Sequence, residues 1–175
     1  MNFSTFGPFE LKEWSKPGFQ SLFDGADEER DGLANAMGVY LFATRGTNGH
    51  LVPWYVGKTI QGFRIRVPQH LEHLKTLSSK RSTKVVVFLI AQIGSSSKFL
   101  KTTAKIKSER GLRSIDILEF VLIGACLAKN RKLINARDAK FHKLFHVPGY
   151  WNSKPRNYDD AARQLANMLG TKFGI

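Results

Sequence analysis

Cysteine is nearly absent: Cys126 is the only one in 175 residues. A lone thiol excludes an internal disulfide and any multi-thiolate zinc site. It suits a reducing compartment, and a cytoplasmic location is expected. Long apolar runs are also missing, since none approaches the roughly 18 residues that a bilayer-spanning helix needs. The opening Met1-Asn2-Phe3-Ser4-Thr5-Phe6 has neither a basic n-region nor an apolar h-region, so no secretory signal is expected. No internal repeat or low-complexity tract is visible. Acids are scarce, with 14 Asp and Glu against 27 Lys and Arg, for a net charge of +13. They are also clustered: Asp24 to Asp31 holds five acids and one Arg, a local −4 that leaves +17 on the rest of the chain. Such a field favours a polyanion and steers its approach, so nucleic acid is the expected partner. No basic amphipathic helix of the interfacial type is present, and a membrane partner is not expected.

What is there suffices for one domain with terminal additions. Hydrophobic residues make up 42%, and 13 Phe can supply a core. Residues 1–36 read as an aromatic arm packed on the main body. Gly7-Pro8 and Pro17-Gly18 mark turns in it, Phe9 to Trp14 suits a short strand, and the acidic run suits a solvated loop or first helical turn. Two β-rich runs follow, Gly38 to Thr44 and Leu51 to Gly57, on either side of Asn48-Gly49. Asn-Gly between such runs is a strong hairpin signal, because both residues tolerate positive φ. The hairpin places Gly38-Val39-Tyr40 and Tyr55-Val56-Gly57 on neighbouring strands. A turn at Gln61-Gly62 should lead into a helix reaching about Leu77, with Pro68 at its start or at a kink. Val85 to Ile93 has the continuous apolar character of a buried central strand.

Residues 94–113 look like a basic insertion. Lys98, Lys101, Lys105, Lys107, Arg110 and Arg113 there face one acid, Glu109, and are candidate phosphate contacts together with Lys58 and Arg64. Ser114 could cap the next helix, with Asp116 in its first turn. From Ile115 to about Lys129 that helix is apolar nearly all round and should be buried. Glu119 is its only charged residue between Ile117 and Ala128, and a buried carboxylate needs a partner or a cation. Residues 137–175 form a C-terminal extension with a short amphipathic helix from Asp159 to Gly170. His142 and His146 have helical metal-ligand spacing but no evident third ligand, and read as surface residues.

The ordered set Gly38-Val39-Tyr40, Tyr55-Val56-Gly57, Arg66 with His70 four residues on, Glu119 and Asn135 resembles the GIY-YIG nuclease superfamily. The likeness spans residues 37–136. It implies an α/β (α+β) domain with a small three-stranded antiparallel sheet flanked by helices, and metal-dependent hydrolysis of a phosphodiester, usually in DNA. Restriction or mobile-element enzymes are the preferred subclass; a repair-type structure-selective nickase and a non-catalytic DNA- or RNA-binding module on the same fold are the alternatives. DNA ranks ahead of RNA as partner, and a homodimer is compatible.

The chemistry can be argued beside the resemblance. Glu119 is a hard oxygen ligand for one Mg²⁺ or Mn²⁺. Arg66 can hold the scissile phosphate and offset developing charge. By the resemblance, Tyr40 is the candidate general base, which its ordinary pKa near 10 opposes unless Lys58, Arg66 or a metal lowers it. Tyr55 would orient water or phosphate, His70 would relay a proton or donate to phosphate, and Asn135 would brace the site or bind phosphate. Arg64 competes with Arg66, and Asn130 with Asn135.

Overall fold

The fold is described from a computed structural model, which covers residues 2–45, 49–70, 84–94, 99, 109–134, 161 and 164, with side chains on the last long helix from residue 113. In chain order come strand β1 (Asn2–Leu11), helix α1 (Lys16–Glu29), a 3-10 turn (Leu33–Asn35), β2 (Gly38–Arg45) and β3 (Leu51–Thr59). Helix α2 (Phe63–Arg66) then runs into a second 3-10 turn (Val67–His70), followed by β4 (Val85–Ile93) and helix α3 (Glu109–Lys129). The strands form one antiparallel sheet in the order β1-β4-β2-β3.

The α+β class agrees with expectation, but the sheet has four strands and not three. The fourth is β1, which pairs along β4 from Asn2↔Ile93 to Leu11↔Val85. Its register shifts between Phe6 and Phe9, at Gly7-Pro8. Proline has no N–H for the ladder and is tolerated because β1 lies at the sheet edge. Pro53 sits in the other edge strand, β3, for the same reason. The hairpin and the central strand over 85–93 form as the sequence suggests.

Helices cover both faces of the sheet. On one, Phe19, Leu22, Phe23 and Ala26 of α1 pack with Phe63, Val67, Tyr40, Phe42, Val87 and Leu89. On the other, Ile115, Ile123, Cys126 and Leu127 of α3 pack with Met37, Val39 and Val56. Alternation along β2 therefore sends Tyr40 and Phe42 toward α1 and α2, and Val39 toward α3.

Four local expectations are corrected. Pro17-Gly18 is not a turn but the first turn of α1, where a missing N–H costs nothing. Ser15 caps that helix by accepting from the Gly18 N–H at 3.1 Å. Of the acidic run, Asp24 to Glu29 belongs to α1 and is not a loop. Helix α3 begins at Glu109, so Ser114 is an interior residue whose hydroxyl accepts from Gln92 Nε2 at 3.2 Å. The good helix formers Glu109, Arg110, Leu112 and Arg113 extend it backward into the basic segment. Nor is α3 buried all round, since Ile117 and Val121 are 55% and 53% exposed.

After β3, Thr59 Oγ1 donates to the Gly62 carbonyl and accepts from the Gln61 N–H, both at 3.1 Å. That closes the expected turn and starts α2. The α-helix changes to 3-10 geometry at Val67, next to Pro68, which cannot donate to the carbonyl four residues back. The expected continuation to Leu77 lies outside the described residues after His70. On the C-terminal extension only residues 161 and 164 are described, and both are helical.

Candidate active site

The site is built at the end of β3, where three elements meet. Tyr40 lies opposite Gly57, and Phe42 lies opposite Tyr55. The Tyr40 ring leans across Gly57 and stacks on Tyr55, with centroids 6.1 Å apart and planes 26° from parallel. A Cβ at residue 57 would sit 2.5 Å from both Cζ and Oη of Tyr40, and 2.7 Å from Tyr55 Cε1. Glycine there is what lets the two phenols lie on one face. Gly38 is needed for a parallel reason, since a Cβ on it would run into the Ile90 carbonyl of β4.

The 3-10 turn brings His70 onto this pair. Its ring centroid is 4.9 Å from that of Tyr55, and Nε2 is 3.5 Å from the Tyr55 hydroxyl. Tyr40 is wholly buried, and its hydroxyl has no hydrogen-bond partner among the described residues. Burial, reinforced by the Tyr55 phenol, pushes the Tyr40 pKa far above its ordinary value; Arg66 opposes the shift and Glu119 adds to it. Burial also raises Tyr55, against the lowering effect of Tyr40 and Arg66. Both phenols thus feel Arg66 and Glu119, so the four groups share one electrostatic neighbourhood.

Arg66, at the end of α2, is exposed and donates from Nη1 to Gln69 Oε1 at 2.6 Å; among the described residues it forms no ion pair. Arg64 is engaged elsewhere. Its guanidinium meets Asp24 at 3.3 Å and Asp27 at 3.0 Å and lies 5.7 Å from the Phe23 ring centroid. Arg64 therefore clamps α2 to α1, and Arg66 is the arginine that faces the site.

Val56 and Lys58 alternate to the α3 side of β3. There the Lys58 ammonium lies 2.7 Å from Asp116 Oδ1 and 2.9 Å from Glu119 Oε2. Burial alone would lower the Lys58 pKa, but the two carboxylates outweigh it and the net displacement is upward. The Glu119 side chain is only 17% exposed. A pocket of about 380 Å³ opens between Lys58, Asp116 and Arg66, lined also by Thr59 to Gln61.

Asn130 is elsewhere. It donates to the Pro53 carbonyl at 2.7 Å and pins the end of α3 to the far end of β3. Eleven residues of helix separate it from Glu119, about 16 Å at 1.5 Å per residue. Asn135, Lys98, Lys101, Lys105, Lys107, His142, His146 and the Arg110 side chain lie outside the described residues. Arg113 is exposed on α3. Cys126 is buried, and burial pushes its thiol up to about 11, so it is no candidate nucleophile.

Sequence reasoning missed Asp116 as a site residue, reading it as a partner of the helix dipole. Its spacing of three from Glu119, on one helix face, was the available signal. It also missed Asp24 and Asp27 as the anchors of Arg64. Comparison with protein-family models, with curated proteins and with solved structures returns no significant match for this chain.

Proposed function

We propose that this chain is a metal-dependent DNA endonuclease with a one-metal site of GIY-YIG type. The observation that carries this reading is the packing of Tyr40, Tyr55 and His70 at the edge strand β3, within electrostatic reach of Arg66 and Glu119, from segments up to 79 residues apart in sequence. A largely buried carboxylate within electrostatic reach of an exposed arginine and two stacked phenols is a costly arrangement for packing alone. It is a useful one for a phosphodiester.

The donor set fits a hard divalent cation. Glu119 already accepts a cation, the Lys58 ammonium, at 2.9 Å. Among the described residues no three His, Cys, Asp or Glu side chains group closely enough to hold a metal. Mg²⁺ or Mn²⁺ held by Glu119 would then keep waters and take phosphate oxygens, as Mg²⁺ commonly does. When bound, such an ion supplies Lewis-acid stabilisation of the phosphate and of the leaving oxygen.

The remaining work falls to the chain itself. Arg66 can reach into the pocket and donate to non-bridging oxygens, where charge builds in the transition state. The Tyr55 hydroxyl is the reachable phenol, and neutral His70 can accept its proton through Nε2. Tyr55 with His70 therefore suits the task of orienting a water and moving its proton. Tyr40 is held neutral by burial, and its role in this conformation is to position Tyr55 by stacking. The net charge of +13 supports a polyanionic substrate. A non-catalytic nucleic-acid-binding module is the second reading, favoured by the complete burial of Tyr40. Incubation with supercoiled plasmid separates the two: the endonuclease cuts only with a divalent cation, and the binding module retains plasmid without cutting it under any metal.

A further inference from the structure

One ammonium is shared by two carboxylates here, and the sharing is unequal. Glu119 is largely buried, whereas the Asp116 side chain is 56% exposed. The two are three residues apart on α3, so they project from one face about one turn from each other. Lys58 reaches both from β3 and lies on the wall of the pocket that Arg66 also lines. A divalent cation taken up by Glu119 would stand where the ammonium now stands. Without a second anion, Lys58 would then face that cation as an unpaired like charge.

We propose that Asp116 is a positioning residue that keeps Lys58 in place when Glu119 exchanges the ammonium for the divalent cation. The inference rests on the endonuclease reading, because it takes Glu119 as the metal ligand. Asp116 does not bind the metal; it holds Lys58 on the wall of the pocket that Arg66 also lines. Two cations then flank the space that a phosphate would enter, and one carboxylate is left for the metal. A lone Glu–Lys pair could not do this, since metal binding would have to expel the lysine against attraction to its only partner.

The test is a Mn²⁺ titration of the full chain without DNA, following free Mn²⁺ by electron paramagnetic resonance. Wild type, D116N, K58M, K58M/D116N and E119Q are compared, each first checked for a wild-type circular dichroism spectrum. D116N should bind Mn²⁺ about five-fold more weakly than wild type, while K58M/D116N stays within about two-fold of K58M, because the aspartate matters only through the lysine. An equal loss from D116N in both backgrounds would make Asp116 a direct ligand and overturn the proposal. So would an unchanged D116N, or the lack of saturable Mn²⁺ binding by wild type. E119Q separates this failure from failure of the endonuclease reading. If E119Q loses Mn²⁺ and the plasmid is cut while the cycle shows no coupling, the nuclease stands and only the role of Asp116 falls. If E119Q binds as wild type does, the metal is not at Glu119 and both fall.

Discussion

Replacing Gly57 by alanine isolates the contact on which the two-tyrosine arrangement depends. The backbone at residue 57 is ordinary extended strand opposite Tyr40, and alanine suits it at least as well as glycine does. The added methyl, however, would lie 2.5 Å from the Tyr40 ring carbon and hydroxyl and 2.7 Å from Tyr55. A carbon–carbon contact is comfortable near 3.5–4.0 Å, so at least about 1 Å of movement is required. Tyr40 cannot swing away freely, because it is wholly buried and its ring also packs on Phe42 and Phe63. Overpacking of this kind costs about 1–3 kcal/mol. For a chain of this size that lowers Tm by about 2–12 °C. Thermal unfolding followed by circular dichroism measures the loss, and plasmid cleavage should fall with it as Tyr55 is displaced. A G57A protein that melts within 1 °C of wild type would refute the reasoning, since Tyr40 would not then lie across Gly57.

Alkaline pH should destabilise the fold through Tyr40 and Lys58 together. Both have folded pKa values raised above their unfolded ones, so the stability each contributes is complete below about pH 10 and is lost as pH rises beyond it. Urea unfolding between pH 9 and 11 should show this decline, and Y40F should flatten it; an equal decline in Y40F would place the titrating group elsewhere. The two arginines should part cleanly. R64A loses ion pairs to Asp24 and Asp27 and its contact with Phe23, for about 1–2 kcal/mol of stability given its partial exposure, with DNA cleavage retained below the melting range. R66A should melt within about 0.5 kcal/mol of wild type and lose cleavage. The reverse pattern in melting and plasmid assays would exchange their roles.

Much of this arrangement was legible because its signals are local. The β2–β3 hairpin announces itself through Asn48-Gly49 between aromatic runs, and β4 through nine residues from Val85 to Ile93 with no charge. Motif order pointed to Tyr40, Tyr55 and His70, which do pack together, with Arg66 and Glu119 within electrostatic reach of the two phenols. What escaped depends on distant partners. Strand β1 carries Gly7-Pro8 and no clean alternation, and it becomes a strand because β4 offers it a free edge 91 residues away at Asn2↔Ile93. Asp24 and Asp27 look like solvated charges until the Arg64 guanidinium arrives from α2. Lys58 reads as a phosphate ligand from composition, yet it is spoken for by two carboxylates that sequence places 58 and 61 residues on. Electrostatic pairing across elements has no periodicity to read.

The carboxylate of Glu119 is where the account is most exposed to test. The decisive measurement is Mg²⁺-dependent cleavage of supercoiled plasmid by wild type and E119Q, run beside a DNA-binding titration of both proteins. Glutamine keeps the shape of the side chain and removes the charge that a cation needs. E119Q should bind DNA as well as wild type or slightly better, since a negative charge is gone, and cleavage should fall by a factor of about 10²–10³, of the order expected when a group acting on the transition state is lost. Cleavage by E119Q near the wild-type rate would contradict the account at its centre.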